Sequence, residues 1–143
     1  MRVLILYETR RGFTLTVARA LRDEVRALGL EATAAPLRGV DDGTVAAADA
    51  FVVGTWVKGM VVVGVGPATG TLEGVRELPD LLGKPAIVFC TCEVSPRGTL
   101  DALGEWVEDR GAEVLGRIVF RRKKSLVNAP EAAAAIADAF ASR

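Results

Sequence analysis

Leu4-Ile5-Leu6-Tyr7-Glu8-Thr9-Arg10-Arg11-Gly12-Phe13-Thr14-Leu15-Thr16 carries the clearest structural signal in this chain. The stretch begins as a strand and ends as the first turn of a helix. Val3 to Leu6 is an apolar run rich in branched residues, as a strand covered on both faces requires. From Ala18 onward the apolar residues fall at Ala18, Leu21, Val25 and Leu28, which is helical spacing. The residues Thr9 to Thr14 must turn the chain between these two elements. They supply two hydroxyls, two guanidinium groups, one glycine and a run of backbone N–H groups. A helix N-terminus carries unpaired N–H groups and a partial positive charge, so such a loop can hold a phosphate.

The 143 residues as a whole read as one domain over 1–143. A chain of this length buries roughly two thirds of its unfolded surface. Formal net charge is zero, which does not favour nucleic acid as a partner. Two cysteines and no histidine argue against a disulfide scaffold and exclude a histidine-based metal site or catalytic triad. No signal peptide is expected, because strand residues start directly after Met1-Arg2. Val57 to Pro67 is the most apolar segment. It is too short to span a bilayer and is interrupted by Lys58, three glycines and Pro67. The expectation is a soluble, cytoplasmic protein without membrane insertion.

The first helix is expected over Thr14 to Leu28, stopped by Gly29. Glu31 to Pro36 reads as a weaker strand at a sheet edge, where Pro36 is tolerated. Asp41-Asp42 caps a short helix over Thr44 to Ala48. Ala50 to Gly54 is a third strand that opens into a loop, Thr55-Trp56-Val57-Lys58-Gly59. Met60 to Gly66 reads either as a strand, from its valines, or as an irregular loop, from its glycines. A third helix shows Leu72, Val75 and Leu78 on one face. After the turn at Gly83-Lys84-Pro85, Ala86 to Cys90 is a buried strand. Ser95-Pro96 is expected to start a helix with apolar face Leu100, Leu103 and Val107, ended by Gly111. Val114 to Phe120 is the last strand. Asn128 and Glu131 resemble a capping box for a final helix that turns Ala133, Ile136, Ala137 and Phe140 inward. Five strands alternating with helices predict an α/β, doubly wound parallel sheet with helices on both faces.

The element order, the chain length and three loops resemble the flavodoxin-like family over essentially the whole chain. The family's first loop reads Ser/Thr-x-Thr-Gly-Asn-Thr; here Thr9, Gly12 and Thr14 match it, while Arg11 and Phe13 replace the middle threonine and the asparagine. The form Thr-Arg-x-Gly-x-Thr is similar to flavodoxin-like, quinone-linked protoporphyrinogen oxidases, without their long insertion. Gly54-Thr55-Trp56 with Gly59 resembles the loop whose tryptophan stacks on the flavin. Thr91 to Gly98 falls where the family has a second ring-contacting loop, here without its frequent tyrosine. The resemblance implies a three-layer sandwich with strand order 2-1-3-4-5 and bound FMN. Its phosphate would sit on Thr9, Arg10, Arg11, Gly12, Phe13 and Thr14. Its ring would lie against Thr55, Trp56, Val57, Lys58, Gly59, Thr91, Cys92, Glu93 and Arg97. In such a sheet ligands bind beyond the carboxyl ends of the strands, where strand order reverses.

Other chemistries fit less well. Cys90 and Cys92 are two apart and point the same way, as buried small residues. A phosphatase loop needs Cys-x5-Arg, and neither cysteine has that spacing to Arg97. A phosphorylated receiver needs acids after the first strand and at the end of the third, where this chain has Glu8-Thr9 and Gly54-Thr55. Arg10, Arg11, Lys58, Arg97 and Arg121-Arg122-Lys123-Lys124 fall at predicted carboxyl ends of strands, eight of the 18 basic side chains. The acids there are Glu8, Asp41, Asp42 and Glu93. A neutral chain is thus expected to carry a positive rim. Electron transfer through FMN, with a redox partner that docks an acidic face, is the leading expectation. An FMN-dependent oxidoreductase on a quinone-like or anionic substrate, or a flavin-free binding domain, are its alternatives.

Overall fold

The structure, a computed structural model, describes residues 1–9, 12–58, 66–68, 70–93, 96, 98–122 and 125–142, of which 58, 66 and 125–127 through their backbone. The elements in chain order are β1 (Arg2–Tyr7), α1 (Phe13–Ala27), β2 (Glu31–Pro36), α2 (Asp42–Ala47), β3 (Ala50–Lys58), β4 (Gly66–Pro67), α3 (Thr71–Arg76), β5 (Pro85–Cys92), α4 (Thr99–Asp109), β6 (Glu113–Arg121) and α5 (Ser125–Ala141). The sheet order is β2-β1-β3-β5-β6, and every neighbouring pair along it is parallel. Counting these five strands alone, the order is the expected 2-1-3-4-5. The two residues of β4 add an antiparallel pair at the end of β3, Val57 to Pro67 and Lys58 to Gly66.

Alternation along each strand builds one apolar cluster on either face. Leu4, Leu6, Phe51, Val53, Val88 and Cys90 meet Val45 of α2, Val75 of α3 and Leu103 and Val107 of α4. Ile5, Val52, Ile87, Phe89 and Phe120 meet Val17, Leu21 and Val25 of α1 and Ile136 and Phe140 of α5. Every residue of β5 is buried, as the middle of a sheet covered on both faces requires. In β2 most positions are exposed or half-buried, as at an edge.

Local signals worked where the partner lies within a few residues. Asp41 caps α2, its Oδ2 accepting from Thr44 N–H at 3.2 Å. The other end of that helix is served from a distance, by Lys84 Nζ donating to the carbonyls of Ala46 and Ala48.

Several expected boundaries moved: α1 and α2 shift by a residue or two, and α3 ends at Arg76, which leaves Leu78 beyond it. β3 runs on to Lys58 and β5 to Cys92, so Thr55 to Lys58 and Thr91-Cys92 are strand rather than loop. α4 starts at Thr99 behind Gly98, and the Pro96 carbonyl accepts from Thr99 N–H at 3.0 Å. Ser95, the expected cap, lies outside the described residues, as does the ambiguous run 60–65. α5 starts at Ser125, which puts Asn128 and Glu131 inside the helix, exposed, and not in a capping box. Leu28 is 52% exposed just past the end of α1, outside the apolar face on which it was expected.

Candidate functional site

Strand order reverses between β1 and β3, where a doubly wound sheet takes its ligands in a crevice beyond the carboxyl ends of the strands. The end of β1 and the start of α1 stand on one side of this position. Gly12 is the N-cap of α1 with φ 84°, a left-handed conformation that favours glycine. Space is not the constraint there, since a Cβ on Gly12 would meet nothing within 4 Å. Thr9 Oγ1 accepts from Gly12 N–H at 3.1 Å and fixes the turn. The first intrahelical bond runs from Thr16 N–H to Gly12 O at 2.9 Å. The N–H groups of Phe13, Thr14 and Leu15 precede it and point out of the helix end. This donor set, with a hydroxyl beside it, suits the oxygens of a phosphate.

The end of β3 stands on the other side. Gly54 faces Phe89 on the paired strand, and a Cβ there would lie 2.0 Å from Phe89 Cζ. Trp56, two residues on and therefore on the same face, is half-buried and sits beside Thr91 in register. Thr91 Oγ1 and Thr14 Oγ1 share a buried hydrogen bond of 2.8 Å, which ties the first turn of α1 to β5. Thr14, Thr91 and Trp56 thus come together on the α1/α5 side of the sheet. Thr55 points to the opposite face, fully buried. Its hydroxyl bonds Thr71 at 2.9 Å and accepts from Ala68 N–H at 3.2 Å. Val57 also lies on that face, against the apolar cluster.

Cys90 and Cys92 share the α2/α3/α4 face and are free and buried. Burial, then the neighbouring Cys92, pushes the Cys90 thiol up to about 12. Burial also raises Cys92, against the pull of the Arg121 guanidinium. These thiols are protonated and poor nucleophiles at neutral pH. Among the described residues no group of His, Cys, Asp or Glu could hold a metal ion.

Arg122 joins three parts of the rim. Its guanidinium lies 5.8 Å from the Phe13 ring centroid, and its Nη1 bonds Glu93 Oε1 at 2.8 Å. Its N–H donates to Cys92 O at 3.0 Å. The ion pair is exposed and contributes at most about 1 kcal/mol. Arg121 and Arg122 are exposed on the rim. Arg10, Arg11, Gly59, Arg97, Lys123, Lys124 and the side chain of Lys58 lie outside the described residues.

Sequence reasoning missed the partner of Glu8. This carboxylate is buried and held by both Nε and Nη2 of Arg38, from the segment after β2. No local pattern signals the pair. It depends on the parallel register that sets Tyr7 beside Pro36. A groove of about 500 Å³ lies away from the crevice, between the amino ends of β1 and β2 and helix α2, lined by Arg2, Glu31, Thr33, Asp41 and Thr44.

No protein-family model matches the chain, and no curated protein sequence does. Solved structures do match. A cysteine-to-serine mutant of flavodoxin from Pseudomonas aeruginosa superposes with a TM-score of 0.77 at 23% identity, covering 98% of this chain and 99% of that one. Two-electron reduced flavodoxin from Megasphaera elsdenii gives 0.74 at 25% identity, covering 93% and 98%. A flavodoxin from the domain Archaea gives 0.75 at 18% identity, covering 96% and 97%.

Proposed function

The chain has the flavodoxin-like fold, and from that premise we propose that it binds FMN in the crevice and passes electrons between redox partners. One observation carries the reading. The left-handed glycine cap and hydroxyl of the first loop share the switch point of the sheet with a half-buried tryptophan at the end of β3. A phosphate on one wall and an aromatic ring on the other is the layout of a mononucleotide.

In this reading Thr9, Gly12 and Thr14, with Arg10, Arg11 and Phe13 of the same loop, hold the phosphate. The N–H groups of the first turn of α1 donate to its oxygens, and the helix end supplies partial positive charge. Trp56 lies against the flavin ring and shields one face from water, which favours the neutral over the charged ring. FMN, when bound, supplies the electron chemistry itself. Thr55 and Cys92, with their side chains turned into the opposite face, support the ring through backbone and packing. Val57, Lys58, Gly59, Thr91, Glu93 and Arg97 complete its surroundings. Arg121, beside the Arg122–Glu93 ion pair, gives the rim a positive character that draws an acidic partner. Two free thiols fit a reducing compartment such as the cytoplasm. No helix among the described residues is long and apolar enough to cross a membrane.

The test is titration with FMN and with riboflavin, followed by visible absorbance and flavin fluorescence. FMN should bind with quenched emission, and riboflavin should bind more weakly. No spectral change with FMN overturns the reading. Equal affinity for both flavins removes the phosphate role of the loop.

A further inference from the structure

Glu8 sits at the junction of β1 and the loop Thr9 to Thr14, and it is 7% exposed. Its N–H donates to Gly54 O at 2.9 Å, which continues the β1–β3 ladder, and alternation after Leu4 and Leu6 turns its side chain to the α2/α3/α4 face. Arg38 takes both carboxylate oxygens, Nε to Oε2 at 3.2 Å and Nη2 to Oε1 at 2.8 Å. Two glycines of the α3 region make room for that side chain. A Cβ on Gly70, the N-cap of α3, would lie 3.1 Å from Arg38 Nη1 and 3.2 Å from Cζ. A Cβ on Gly74, one turn later, would lie 3.0 Å from Arg38 Cγ. The guanidinium therefore lies over Gly70 and the stem over Gly74, in a seat that other residues would narrow.

A buried carboxylate is strongly disfavoured unless it is paired and hydrogen-bonded. Glu8 is also a negative charge directly beside the loop read as a phosphate holder. By chain reach it stands on the order of 10 Å from an anion held at Gly12, comparable to the screening length in physiological salt. Without a compensating cation the two would repel.

We propose that Glu8 and Arg38 form a charge-cancelling pair at the end of β1, next to Thr9 of the phosphate-holding turn. Arg38 is then a positioning residue that sets the loop's affinity for an anion without touching it. The inference rests on the phosphate-binding reading of that loop. A purely structural clamp would instead weaken every ligand of the crevice alike.

The test compares FMN and riboflavin affinity, by flavin fluorescence at two salt concentrations, for the wild type, Arg38→Gln, Glu8→Gln and the double variant. Coulomb repulsion over that distance predicts that Arg38→Gln weakens FMN about ten-fold and that added salt shrinks the loss. Riboflavin, which lacks the phosphate, should be unaffected. The double variant should return FMN affinity to within about three-fold of wild type, since neither charge remains. Glu8→Gln leaves no buried charge unpaired and should tighten FMN several-fold. It carries the test if Arg38→Gln does not fold. Equal losses for FMN and riboflavin, a double variant as weak as Arg38→Gln, or no tightening in Glu8→Gln each overturn the proposal. If the wild type binds neither flavin, the cofactor reading fails by itself, and inorganic phosphate becomes the probe through its effect on Tm. Phosphate stabilisation that is lost in Arg38→Gln and regained in the double variant then supports the pair. Absent stabilisation in the wild type, or equal stabilisation in all variants, overturns it.

Discussion

Gly54→Ala should destabilise the protein through a single steric conflict. Gly54 lies within β3, opposite Phe89 of β5, and an added methyl would stand 2.0, 2.1 and 2.4 Å from three atoms of that ring. The nearest of these is about 1.5 Å short of ordinary carbon–carbon contact. The ring has no free space to enter: Phe89 is 0% exposed, and it packs edge-to-face on Phe120 at 5.7 Å between centroids. Either the aromatic pair repacks off its preferred geometry or β3 and β5 move apart. Overpacking of this kind costs about 1–3 kcal/mol. The lower chain entropy of alanine returns less than about 1 kcal/mol. A net loss of about 2 kcal/mol is expected, equivalent to a Tm lower by about 4–8 °C in a chain of this size. Urea denaturation reads this directly as a lower midpoint at unchanged slope. Shortening the ring by Phe89→Leu should relieve the conflict, so the two substitutions together should cost at least about 1 kcal/mol less than their sum. A Gly54→Ala protein within about 0.5 kcal/mol of wild type, or strict additivity with Phe89→Leu, would refute the reasoning.

Thr91→Val should cost about 1–3 kcal/mol, because it leaves the buried Thr14 hydroxyl without its partner. Thr14→Val with Thr91→Val should recover most of that loss in the same urea assay. Trp56→Ala should weaken FMN binding about five-fold, the loss of one stacking contact worth about 1 kcal/mol, with the fold intact by circular dichroism. The change should also brighten the residual flavin emission, and unaltered affinity and emission would return Trp56 to a packing role. Cys90 should react with a thiol reagent at about pH 8 only after unfolding, since its folded thiol is pushed from 9.0 up to about 12. Below pH 9 both states hold that proton, whereas above it the unfolded chain releases it first. Stability should therefore fall between pH 9 and about 12, and Cys90→Ala should flatten that decline.

The order of elements and the class of sheet were legible in the residues alone, because their signals are local. The branched run Val3–Leu6, the helical spacing of Ala18, Leu21 and Val25, and the Asp41 cap each act within a few positions. The same holds for Gly12, whose left-handed conformation serves a turn between adjacent elements. Tertiary structure decided what depends on a distant partner. β3 extends to Lys58 because Gly66 and Pro67 pair with its end, and β5 extends to Cys92 because Phe120 and Arg121 do the same. Gly54 reads in the sequence as the end of a strand, yet its reason is a phenylalanine far along the chain, Phe89 on the paired strand. The Thr14–Thr91 bond and the Glu8–Arg38 pair span 77 and 30 residues. Hydrophobic period fixes which face a side chain takes, but not which partner meets it there. That is set by strand register and by the packing of helices on the sheet, which exist only once the chain has folded.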